Sequence, residues 1–121
     1  MSDKYLILLA ADEGDWGSAT AEERQRVMDA HDAFHKAVAD RATMVAGEAL
    51  ADPEAATTLR RVDGRPVLTE GPFAETAEVV GGFYLVDAPD LDVMTSLCEL
   101  LPAPYTLEIR PVVQIEGFES T

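Results

Sequence analysis

Residues 5–10, Tyr-Leu-Ile-Leu-Leu-Ala, are apolar on both alternating faces. A strand carries such a run only where both sides of its sheet are covered, so the pattern predicts a central strand. Residues 79–86 repeat it, interrupted by Gly81 and Gly82, and predict a second central strand with a bulge or a close approach at the glycines. Residues 43–50 predict a further strand with Gly47 inside it, where a period of two sets Glu48 on the side of Met44, Ala46 and Leu50. Near the end, Tyr105, Leu107, Ile109, Pro111, Val113 and Ile115 alternate with Thr106, Glu108, Arg110, Val112, Gln114 and Glu116. That alternation, with a proline in it, predicts an edge or half-exposed strand.

Two stretches follow the helical period instead. Thr20 with Glu23 three residues later is a capping-box signature, and beyond it Val27, His31, Phe34 and Val38 fall on one stripe. His31 is inside that apolar stripe and His35 on its shoulder. After Pro89 and Asp90, the residues Leu91, Met94, Leu97, Cys98 and Leu101 share one side of a second helix, which Pro102 and Pro104 end. Between the second and third main strands, residues 57–62 and 65–69 flank Asp63-Gly64, whose residues tolerate the positive φ of a tight hairpin turn. Pro66 cannot donate to a ladder, so this hairpin belongs at an edge. Loops at residues 12–17 and 70–76 complete the chain's organisation.

The resulting order is β, α, β, hairpin, β, α, β, the split βαβ arrangement of an α+β ferredoxin-like fold (βαββαβ) with an inserted β-hairpin. The topology makes the first and third main strands central and the second and fourth edges, as their patterns require. Residues 1–121 read as one domain, because the length suits a single core and no linker or internal repeat interrupts them. Two helices cover only one face of a four-stranded sheet, whereas the central strands are apolar on both. The economical cover is a second copy packed sheet to sheet, so a homodimer is expected.

Composition narrows the functional classes. A formal charge of -14, from 23 acidic and 9 basic residues, repels nucleic acid and anionic membrane surfaces and favours solubility. With Cys98 alone, no internal disulfide forms, and its place between Leu97 and Leu100 reads as a buried thiol. The apolar run near the start is too short to span a membrane and wrongly flanked for a signal peptide, so a cytoplasmic protein is expected.

His31 is the leading candidate for chemistry, because an imidazole trades a proton near neutral pH and this one is held among apolar residues. As an acid or base it needs an orienting carboxylate, for which Glu48 and Asp12 are the candidates, and it should border a cavity. The competing reading is a core histidine satisfied by one hydrogen bond. His31 and His35, one turn apart with Asp32 between them, have the spacing of a metal pair, but no third ligand follows from spacing and no metal or cofactor is expected. Arg110 can clamp an anionic substrate or pair with Glu108 on an exposed face. Trp16 and Phe73, large aromatics in loops, either close a pocket or act as plugs.

The segment Thr69-Glu70-Gly71-Pro72-Phe73-Ala74-Glu75-Thr76-Ala77-Glu78, followed by Gly81-Gly82-Phe83-Tyr84, resembles the DGPF signature of YCII-related proteins. The likeness takes in Lys4 to Leu9, His31 and Phe34, Gly47 to Leu50, the Asp63-Gly64 turn and Glu108 to Pro111. Glu70 stands where the family's name-giving aspartate is usual, and Ala77 where a lysine is usual. The resemblance implies a dimeric α+β barrel, and a His–Asp pair in a cleft has been read as an active site in some relatives. It also implies a link to extracytoplasmic-function sigma factors. Tyr84, inside the signature, joins Trp16, Phe73 and Arg110 as a candidate substrate contact. The leading expectation is therefore a dimeric protein for a compact organic ligand, working as a cofactor-free enzyme through His31 and a carboxylate. The alternative is a non-catalytic regulatory module associated with transcription.

Overall fold

The computed structural model describes residues 2–118. Strand β1 (Asp3–Asp12) leads through a short helix α1 (Asp15–Ser18) into the long helix α2 (Ala21–Arg41) and strand β2 (Thr43–Ala49). A single 3-10 turn at Pro53–Ala55 precedes the hairpin β3 (Thr57–Val62) and β4 (Arg65–Glu70), and then come β5 (Glu78–Ala88), α3 (Leu91–Cys98) and β6 (Thr106–Pro111). The main sheet is antiparallel in the order β2-β5-β1-β6, with β1 and β5 central as the doubly apolar runs require. This is the ferredoxin-like α+β arrangement with β3 and β4 as a separate two-stranded sheet.

Local signals set the helix starts. Thr20 Oγ1 accepts from the Glu23 N–H and Glu23 Oε1 accepts from the Thr20 N–H, each at 3.1 Å, so the capping box satisfies two donors that α2 leaves unbonded. The Asp90 side chain accepts from the Val93 N–H at 2.9 Å and starts α3 in the same way. Both helices pack on one face of the sheet. There Tyr5, Ile7 and Leu9 of β1 and Tyr84, Val86 and Ala88 of β5 meet Phe34, Val38, Met94, Leu97 and Cys98 in one buried cluster. Leu107 and Ile109 of the edge strand β6 pack against it.

The opposite face holds Leu6, Leu8, Phe83 and Leu85, aligned in register across β1 and β5 and partly exposed. Ala46 and Glu48 flank them on β2, and Glu108 and Arg110 on β6. Glu48 is therefore not on the side of Met44, as strict alternation predicts. Met44 pairs with Val86, but the register slips at Val45, so Ala46 pairs with Leu85 and Glu48 with Phe83. One extra residue in a strand turns all that follow it to the other face. A second irregularity falls between Leu9 and Ala10, opposite Gly81, where the glycine pair predicted a bulge.

Three further expectations shift. Leu91 is exposed rather than on the buried side of α3, since at the first helical residue no preceding turn exists for its side chain to cover. The helix ends at Cys98, ahead of the two prolines, with turns through Leu97 and Cys98 carbonyls closing it. Strand β6 stops at Pro111, although the alternation runs to residue 116. Its neighbour β1 begins at Asp3, so after the Val112 N–H bonds the Lys4 carbonyl at 2.9 Å no strand remains to pair with.

Candidate functional site

The site is built where α2 crosses β5. Tyr84 alternates onto the helix-facing side of β5 and is buried, and its ring rests against Phe34 with 4.8 Å between centroids. Its hydroxyl oxygen lies 2.6 Å from His31 Nδ1 and 3.3 Å from His35 Nε2. Residues one helical turn apart thus aim nitrogens at a single phenol from a neighbouring layer. Tyr105, just before β6, stands edge-on to His31 at 5.9 Å. Gly47 makes this packing feasible, because a Cβ there would lie 2.6 Å from Tyr84 Cδ1, well inside contact distance.

Burial controls the charges of the cluster. His31 is held below the usual histidine range, first by burial and next by the neighbouring His35, with Asp32 opposing. Tyr84 is pushed above the usual phenol range by burial, with Tyr105 and Asp32 adding to it, and Tyr105 is raised by burial. Near neutral pH the arrangement is therefore a neutral imidazole facing a protonated phenol. A hydroxyl has one proton, so Tyr84 donates to one imidazole and accepts from the other's N–H. His31 is half-buried and His35 exposed, which makes the phenol a bridge between an interior imidazole and a solvated one.

The other expected site residues are dispersed. Glu48 is on the far face of the sheet, and Asp12 is exposed at the end of β1 opposite Glu78. Neither is hydrogen-bonded to His31, and the acid that acts on it electrostatically is Asp32. Trp16 is in α1, where its carbonyl accepts from Arg24 Nη2 at 2.9 Å and its ring lies under that guanidinium at 5.2 Å. Phe73 is 79% exposed at the base of the hairpin, its carbonyl bonded by Arg60. Arg110 pairs with Glu108 on the exposed face of β6. Two shallow surface depressions share Ser2 and Asp87, and one of them includes Asp40 and Arg41. Arg41 is ten residues along α2 from His31, about 15 Å at 1.5 Å per residue, so neither depression is the cavity expected beside that histidine. Cys98 is buried and its thiol is pushed up to about 11, which leaves it a packing residue rather than a nucleophile at neutral pH.

Sequence reasoning undervalued His35, Tyr105 and Gly47. Parity with Leu107 and Ile109 was the available signal for Tyr105, since it sets that ring toward the core side. Nothing in the spacing of Gly47 announces a tyrosine 37 positions later in the chain, which only the register of β2 with β5 brings opposite it.

The fold and this cluster define an α+β protein of the ferredoxin-like class with a histidine–tyrosine centre between helix and sheet. The YCII-related domain model matches residues 4–116, and the chain belongs to the YCII-related family. It is also 32% identical over 112 residues to an uncharacterised protein of Rhizobium meliloti (strain 1021), a match covering 89% of this chain and 90% of that one. Among the described residues, no helix is long and apolar enough to cross a membrane.

Proposed function

We propose that the protein binds a compact organic molecule beside α2 and exchanges a proton with it through the His31–Tyr84–His35 cluster, without a cofactor. The observation that carries this reading is the Tyr84 hydroxyl shared between two imidazoles of different exposure. Neutral His31 is ready to accept a proton. Tyr84 can then pass one between His31 and solvated His35 by donating on one side and accepting on the other, with no charged phenolate at rest. This cluster takes over the orienting role first given to Glu48 and Asp12.

The proposal includes a second copy of the chain across the open face of the sheet, forming a dimeric α+β barrel. Both long helices pack on the other face, while Leu6, Leu8, Phe83 and Leu85 form an apolar strip bordered by charge.

The test is a fragment library screened by the side-chain nitrogen resonances of His31 and His35. Ligands of the expected kind shift both imidazoles in the wild type and lose that effect in Tyr84→Phe. Binding that ignores both histidines, or that survives Tyr84→Phe unchanged, sinks the acid/base reading.

A further inference from the structure

His31 and His35 stand one helical turn apart, a spacing that suits a metal ion, but spacing along α2 offers no third ligand. Among the described residues no group of three or more His, Cys, Asp or Glu side chains is placed to hold an ion. A third donor therefore has to be of another kind and come from another element. The fold supplies one. The Tyr84 hydroxyl oxygen, carried by β5, lies 2.6 Å from His31 Nδ1 and 3.3 Å from His35 Nε2, so ring nitrogens from adjacent turns of α2 converge on one oxygen from the sheet.

These separations are close to those of a coordination shell. Two ligand atoms held about 2.0–2.1 Å from a tetrahedral zinc ion are themselves about 3.3 Å apart. The His35–Tyr84 pair already has that separation, and the His31–Tyr84 pair has to open by about 0.7 Å, which small side-chain rotations supply. Imidazole nitrogen and phenolate oxygen suit the borderline ions Zn(II) and Cu(II), whereas Mg(II) and Ca(II) take all-oxygen shells. The Tyr84 ring is packed against Phe34 and fills the space over Gly47, which fixes its oxygen under the helix. His35 is exposed, which gives an ion an approach from solvent and leaves room for water in the shell. Asp32, which acts electrostatically on His31 and Tyr84 alike, adds a negative charge nearby, and the net charge of -14 draws cations to the surface.

We propose that His31 Nδ1, His35 Nε2 and the Tyr84 phenolate oxygen form a site for one Zn(II) ion, with water completing the shell. On binding, the phenol proton passes to solvent, and the imidazole that had donated to the phenol moves its proton to its other ring nitrogen. The ion then occupies the same atoms that exchange protons in the reading above. It is a competitor that switches the cluster off, not a cofactor that the cluster needs. Only this consequence rests on the proton-exchange reading; the ion site itself rests on the three atoms.

The test is a titration of the full chain with zinc chloride alone, in excess Mg(II) to fill surface carboxylates, followed by calorimetry and by the side-chain nitrogen resonances of both histidines. The wild type is compared with His35→Gln, which changes an exposed residue, and with Tyr84→Phe, which keeps the packed ring, so that both variants fold. The expected result is one equivalent of zinc bound by the wild type with His31 and His35 both shifted, and each variant weaker by about tenfold or more. Cu(II) in place of Zn(II) should give the visible charge-transfer band of a copper-bound phenolate in the wild type and none in Tyr84→Phe. No uptake, uptake that excess Mg(II) abolishes, or uptake that leaves both histidines unmoved overturns the site. Affinity unchanged in Tyr84→Phe, or a copper complex without the phenolate band, overturns it as well. No organic ligand is present in these measurements, so their failure leaves the proton-exchange reading standing, and a failed fragment screen leaves the ion site standing.

Discussion

The two faces of the main sheet are made by the same strands and have different fates. On one, Tyr5, Ile7, Leu9, Tyr84 and Val86 are sealed under α2 and α3, and there the Tyr84 hydroxyl meets His31 and His35 of the helix. On the other, Leu6, Leu8, Phe83 and Leu85 are as apolar but remain partly exposed. Apolar content therefore does not decide which face is closed by its own chain. What decides it is that both helices return over the same side, as the right-handed crossovers of a split βαβ unit require. The site then arises on the closed face, where burial can hold an imidazole neutral and a phenol protonated.

The largest expected effect separates the faces by stability. Phe34→Ala, at a fully buried position against Tyr84, should cost about 3–5 kcal/mol in urea unfolding. Leu8→Ala should cost clearly less in dilute protein and more as concentration rises. Equal losses at all concentrations would break the contrast.

Next comes Gly47→Val, whose side chain must displace the Tyr84 ring. It should cost about 1–3 kcal/mol and move the His31 and His35 resonances, whereas Gly81→Ala, where a Cβ meets nothing within 4 Å, should do neither. Tyr84→Phe removes one hydroxyl and leaves a half-buried imidazole nitrogen without its partner. A loss of about 1 kcal/mol is expected, with the His31 resonances shifted as its partner is lost. A smaller loss, at the open edge, is expected for Glu108→Gln, which breaks an exposed ion pair and should cost well under about 1 kcal/mol.

Proton linkage sharpens the comparison further. His31 has a lowered pKa in the folded protein, so the unfolded chain binds the extra proton first as pH falls. Its contribution to stability is complete above the unfolded value near 6.5 and declines below it, down to the lowered folded value. Unfolding midpoints measured through that window should fall less steeply in His31→Gln, while Glu108→Gln leaves the slope at His31's window unchanged. Removing His35 should raise the pKa of His31, since it is one of the two causes of the depression.

Much of the fold was legible because its signals are local. The capping box at Thr20 and Glu23, the Asp63-Gly64 turn, with Asp63 at φ 51° and Gly64 at φ 80°, and the doubly apolar runs of β1 and β5 each act within a few residues. The stripe of α2 put His31 among core neighbours, and the structure keeps it there beside Phe34 and Tyr84. Alternation failed where the backbone departed from it. The slip at Val45 sent Glu48 to the open face, and a bulge of that kind leaves no mark in a sequence of ordinary apolar residues.

By itself the sequence determined the order of the main strands and the two packed helices, though not the short helix α1 that stands in the expected 12–17 loop, together with the helix caps, the hairpin turn and the apolar demand of both sheet faces, because each depends on contacts along the chain. Only the tertiary structure decided that the phenol of Tyr84 would meet His31 and His35, residues 53 and 49 positions away. A strand register has to bring Gly47 beside that ring, and a helix has to cross it at the right turn, before the three groups join in one hydrogen-bonded chain. Such a meeting is a property of packing between layers, which no spacing within a single element encodes.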